Sequence, residues 1–137
     1  MREHRTAAFR VVNPDTMHEP SSLGYSQVAI VEPGARTVYV AGQAGGPDKG
    51  DFADQVRTAF DGVDAAMREA GGSVRDVVRL TVYIVDHDET KHRMLIEEVE
   101  RVFEKRLAPT CTIVPLSQLG TEENMLVEIE AIGALIP

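Results

Sequence analysis

The run Val77-Val78-Arg79-Leu80-Thr81-Val82-Tyr83-Ile84-Val85 constrains this chain more than any other segment. It is rich in β-branched residues and reads as a strand. Side chains alternate between the two faces of a strand, so Leu80, Val82 and Ile84 share one face and Arg79, Thr81 and Tyr83 the other. Both sets are fairly apolar, so both faces of the sheet need cover. The chain offers two amphipathic helices, and two helices cover only one face of a small sheet. The other face is therefore expected to be buried by further copies of the chain.

The remaining pattern surrounds that strand with helices and short β runs. Phe52, Val56, Ala59, Phe60, Val63, Ala66, Met67 and Ala70 recur at helical spacing, with Asp51 as N-cap and Gly71-Gly72 as the stop. Leu95, Val99, Val102, Phe103 and Leu107 mark a second helix, introduced by Asp86-His87-Asp88 and ended by Pro109. Residues 25–31 and 37–41 read as strands around a Pro33-Gly34 turn, which predicts an antiparallel hairpin. A glycine-rich loop at 42–47 follows. Residues 112–114 and 126–132 read as the last two strands, joined by a polar loop at 120–124. Residues 1–20 read as an irregular arm with one edge strand around 9–12. The order β-β-α-β-α-β-β predicts an α+β fold: one domain over 1–137, with a single mixed sheet and both helices on one face. At 137 residues such a domain can bury a core of its own.

Charge and cysteine content narrow the partners. Fourteen Lys and Arg stand against 22 Asp and Glu, a formal net charge of −8, which makes nucleic acid a poor default partner. The one cysteine, Cys111, permits no intrachain disulfide and no cysteine-based zinc site. No apolar run follows Met1-Arg2-Glu3-His4-Arg5, and none reaches the ~20 residues of a membrane span, so a cytoplasmic setting without membrane contact is expected.

The most informative polar residues lie in the last strand, where Glu128 and Glu130 alternate with Val127, Ile129 and Ala131. With the apolar set toward the helices, both carboxylates point to the open face. At a subunit boundary such a carboxylate suits general acid–base work; at a free face it is a solvated strand edge. Cys111 reads either as a nucleophile or, more simply, as a small buried apolar residue. His87 and His92 match no metal-ligand spacing and read as surface residues, so no metal is expected. Gly42-Gln43-Ala44-Gly45-Gly46 lacks the P-loop lysine and the dinucleotide glycine spacing; it reads as backbone open to a small ligand. Arg101, Lys105 and Arg106 close the second helix, where cations complement its dipole.

Five pieces in register, Gly24-Tyr25-Ser26-Gln27, Ala41-Gly42-Gln43, residues 69–79, residues 109–119 and Val127-Glu128-Ile129-Glu130-Ala131-Ile132, closely resemble the RidA/YjgF family. The resemblance implies a chorismate-mutase-like fold and a homotrimer whose sheets form a central barrel, with ligand clefts between subunits. It further implies hydrolysis of reactive enamines and imines to 2-keto acids and ammonia, without a cofactor. By the same resemblance Tyr25, Gly42 and Gln43 line the cleft and Glu128 positions or activates water. Cys111 stands where the family places the arginine that grips the substrate carboxylate. A thiol offers neither charge nor fork, so the resemblance implies an atypical member with an altered substrate. A non-catalytic trimer that binds a small metabolite, and a nuclease or translation inhibitor, stand as alternatives.

Overall fold

The structure is a computed structural model that describes residues 1–45, 48, 50–120 and 122–137. Among the described residues, seven strands and two α-helices run in the order β1 (Arg2–Arg5), β2 (Phe9–Asn13), β3 (Val28–Val31), β4 (Arg36–Ala44), α1 (Phe52–Glu69), β5 (Val77–Val85), α2 (Glu89–Phe103), β6 (Thr110–Leu116) and β7 (Val127–Leu135). A mixed four-stranded sheet in the order β4-β7-β5-β6 forms the centre of the molecule. β5 and β6 are parallel, as a crossover through α2 requires, and β7 lies antiparallel to both β4 and β5.

Both helices pack on one face of this sheet. Leu80, Val82 and Ile84 of β5 and Val127 and Ile129 of β7 are fully buried there, against Val56, Phe60, Val63 and Met67 of α1 and Leu95, Val99 and Phe103 of α2. Local signals set the helix starts. Asp51 caps α1 in a reciprocal box with Asp54, and the Asp88 side chain accepts from the Lys91 N–H at the start of α2. α2 stops at Phe103, where Glu104 turns to a φ of 49°, so Leu107 lies beyond the helix rather than on it.

The N-terminal region departs from expectation. Residues 1–20 hold two strands, and β1, β2 and β3 form a second, three-stranded antiparallel sheet. The expected hairpin across Pro33-Gly34 does not form: β3 pairs with β2, whereas β4 pairs with β7. Phe9 and Val11 of β2 pack with Leu107 onto Val78 and Ala134, so the small sheet covers one end of the face that the helices leave open. The turn signal was real, but strand partners are chosen by distant apolar surfaces. Gly42 and Gln43 also lie inside β4, beyond a register shift after Val40, rather than in a loop. Gly46 and Pro47 of the glycine-rich segment and Thr121 of the polar one lie outside the described residues. Among the described residues, no helix is long and apolar enough to cross a membrane.

Candidate functional site

Tyr25 and Cys111 are 86 positions apart in sequence and meet at one cavity. A short 3-10 turn over Ser21–Leu23 ends on Gly24 at φ 79°, a left-handed conformation suited to glycine, and a Cβ there would press on Ile96 of α2. The chain then runs beside the start of β6: the Ser26 N–H donates to the Pro109 carbonyl at 3.1 Å, and Ser26 bridges Thr110 in parallel. Tyr25 is thereby set next to Cys111. The cavity, ≈ 240 Å³, is mostly apolar, with Leu23, Leu95, Ile96, Val99 and Ile113 in its wall and His92 as its one imidazole.

Cys111 faces the helices, since it pairs with the inward Leu80. Burial pushes its thiol up to about 12, only partly countered by Arg79, so it is a neutral group at physiological pH. The Tyr25 hydroxyl and His18 Nε2 lie 2.8 Å apart, and Gln27 Nε2 donates to the His18 carbonyl. Sequence reasoning missed His18, which lies in the polar N-terminal stretch and carries no motif. His87 and His92 are half-buried rather than on the surface, with ring centroids 5.7 Å apart; burial, then the charge of His92, holds His87 below its ordinary pKa. Among the described residues no three His, Cys, Asp or Glu side chains gather around a common point as a metal ion needs.

Glu128 and Glu130 lie on the opposite face of the sheet. Their alternation with the buried Val127, Ile129 and Ala131 puts them on the open side. Gln55, buried in α1, fixes the approach to β7 by accepting from the Leu126 N–H and donating to the Asn124 carbonyl. Glu130 is engaged: it accepts from the Tyr83 hydroxyl at 2.7 Å, and that bond, with burial and the two carboxylates, raises the Tyr83 pKa. Glu128 instead lies against bare backbone, because a Cβ on Gly42 would overlap its Oε1. Gln43 turns the other way: its Oε1 would meet a Cβ on Gly62 of α1, and its Nε2 donates to the Ala41 carbonyl. Within one chain, then, two half-sites sit on opposite faces: Tyr25 with Cys111 toward the helices, Glu128 with Gly42 toward the open side.

Comparison with known proteins agrees with this architecture. The family described as Endoribonuclease L-PSP matches residues 16–135. A RutC family protein of Pyrococcus abyssi is 32% identical over 125 residues, covering 86% of this chain and 92% of its own. The Rid-family protein YyfB of Yersinia pestis superposes with a TM-score of 0.83 at 26% identity, over 93% of this chain and 99% of that one. TdcF of E. coli, solved with bound serine, gives a TM-score of 0.57 at 27% identity, over 84% and 94% of the two chains. The match from residue 16 to residue 135 takes in both half-sites, and by it this chain belongs to the Endoribonuclease L-PSP family, the group of RidA/YjgF proteins that its motifs resemble.

Proposed function

We propose that the protein hydrolyses a small enamine or imine without a cofactor, as a homotrimer, in clefts where Tyr25 and Cys111 of one copy meet Glu128 and Gly42 of the next. The observation that carries this reading is the split of the two half-sites across opposite faces of one sheet. Neither half suffices alone. Among the described residues Glu128 has no side-chain partner and only backbone beside it, and the Tyr25 cavity has an apolar wall with no base stronger than an imidazole.

In the reaction proposed, Glu128 takes a proton from water as the oxygen bonds to the C=N carbon. Glu128 returns that proton to the nitrogen, then carries the hydroxyl proton of the carbinolamine to the amino group, so that the C–N bond breaks and ammonia leaves a carbonyl product. Backbone N–H groups beyond Ala41 would face the developing charge. A relative solved with serine supports an amino-acid-sized ligand. Cys111 argues against a carboxylate next to the imine carbon, because losing a charge-assisted pair in a cleft costs ~3–5 kcal/mol. The apolar wall of Leu23, Ile96, Val99 and Ile113 favours a substrate with a hydrocarbon group in that place. A cytoplasmic setting suits the neutral, half-buried thiol.

Ammonia release over a panel of freshly generated imines, with and without an α-carboxylate, tests the reading. Turnover of an apolar imine that falls about 10²–10⁴-fold in Glu128→Gln is expected. Unchanged turnover in that variant removes Glu128 from the chemistry. Binding of panel members without ammonia release would make the protein a metabolite-binding trimer instead.

A further inference from the structure

We propose that the cavity between the N-terminal strand and the end of α2 binds the phosphoryl group of a small ligand: Arg2, His4, Arg75, Lys105 and Arg106 converge there from three separate parts of the chain. Two adjoining hollows, ≈ 380 Å³ and ≈ 470 Å³, share Arg2, Lys105, Arg106 and Leu107 in their walls. In a chain of net charge −8, this concentration of cations calls for a reason.

Arg2 donates to the Ser21 hydroxyl and lies 3.6 Å from the Glu19 carboxylate, an exposed pair; the hydrogen bonds of Arg75 and Arg106 leave their charge unspent. Arg106 is stacked between Phe9 and Phe103, with its guanidinium carbon 5.6 Å and 5.3 Å from the ring centres. Its Nε donates to the Leu107 carbonyl and its Nη1 to the Arg75 carbonyl, while Nη2 is buried without a partner among the described residues. Arg75 donates to the Val102 and Phe103 carbonyls at the end of α2, whose dipole offsets part of the charge. Among the described residues, neither Arg75, Lys105 nor Arg106 forms an ion pair with a carboxylate, though Asp76 acts on Arg106 from a distance. Burial and the neighbouring Arg75 hold Arg106 down to about 10, and burial, Arg106 and Arg75 lower His4. An anion would relieve all of these at once.

The number and shape of the donors favour a phosphoryl group. Several cations, three of them planar guanidinium forks, match a dianion with three terminal oxygens better than a single carboxylate. Val99, Phe103 and Leu107 give the organic part of the ligand an apolar wall. Glu3, Glu100 and Glu104 also line the hollows and would repel an extended polyanion, which sets a small ligand apart from RNA. Gly24 and Val99 belong both to this wall and to that of the Tyr25 cavity.

Calorimetric titration of the full chain with glycerol 3-phosphate, inorganic phosphate, malonate and glycerol at constant ionic strength tests the site. Saturable binding of both phosphates, tighter than malonate and absent for glycerol, is expected. Lys105→Gln and Arg2→Gln, whose side chains are exposed, should each weaken it about tenfold without changing the melting temperature of the free protein. Malonate binding as tight as phosphate would overturn the phosphoryl assignment. Phosphate binding that is undiminished in both variants, or heats that never saturate, would overturn the site itself. Tight binding of an RNA oligonucleotide lost in the same variants would replace the small ligand with a nucleic acid.

Discussion

The two faces of the central sheet obey different rules. The helix-covered face is a closed hydrocarbon layer: Leu80, Val82, Ile84, Val127 and Ile129 all have no exposed surface. The other face is covered only at one end, by Phe9 and Val11 of the small sheet. The remainder presents Tyr39, Thr81, Tyr83 and two carboxylates. One face spends its side chains on stability within a chain. The other mixes apolar surface with ionisable groups, a composition that suits contact with further copies and chemistry at their boundary.

Substitutions matched across the sheet would break or sharpen that contrast, and the largest effect is expected on the covered side. Leu80→Ala should cost ~2–5 kcal/mol in denaturant unfolding, since it opens a hole in a packed layer. Tyr39→Ala, at a residue 79% exposed, should cost less than ~0.5 kcal/mol within the chain. Its effect should appear instead in light scattering, where the wild-type protein is expected at about three times the 15.0 kDa chain and the variant at less. A wild-type particle of one chain would remove the trimer and the shared cleft together. Gly42→Ala is intermediate. Its Cβ must displace the Glu128 carboxylate, so turnover should fall about tenfold or more while the unfolding midpoint barely moves. Equal turnover would mean that Glu128 need not lie where the bare backbone leaves room for it.

Sequence reasoning read the covered face well and the rest of the molecule unevenly, for physical reasons. The helix caps at Asp51 and Asp88, and the β7 alternation that sends Glu128 outward, are encoded within a few residues of where they act. The Pro33-Gly34 turn is just as local, but it could not say that β4 would pair with residues some ninety positions later. Nor could it show that Tyr25 reaches Cys111 through one bridge at Ser26, or that His18 would meet its hydroxyl. The basic hollow was invisible because its members lie at positions 2, 4, 75, 105 and 106. Arg106 had a sufficient local explanation at a helix end, and that explanation concealed its stacking on Phe9.

The smallest expected effect belongs to Cys111, where the covered face and the candidate cleft meet. Its thiol is pushed up to about 12 by burial, above the value of 9.0 it has when exposed in the unfolded chain. The neutral thiol is the form that the fold accommodates. Stability from this group is therefore complete below pH 9.0 and declines as the unfolded chain ionises, by about 1.4 kcal/mol per pH unit until the folded thiol ionises as well. Tyr83, raised by its bond to Glu130, and Arg106, held down to about 10, also give pH-dependent slopes, but both groups are common to the wild-type protein and a Cys111→Val variant, so the difference between the two isolates the cysteine. Unfolding free energies of wild-type and Cys111→Val should converge or diverge by that slope above pH 9.0, with the wild-type protein losing ground. At pH 7 the native thiol stays neutral, so labelling by a small alkylating reagent should be slow in the native protein and fast after unfolding. Parallel pH curves for the two proteins, together with rapid native labelling, would place Cys111 in an open cleft with an ordinary thiol. It would then belong to the reactive half of the comparison, not to the packed one.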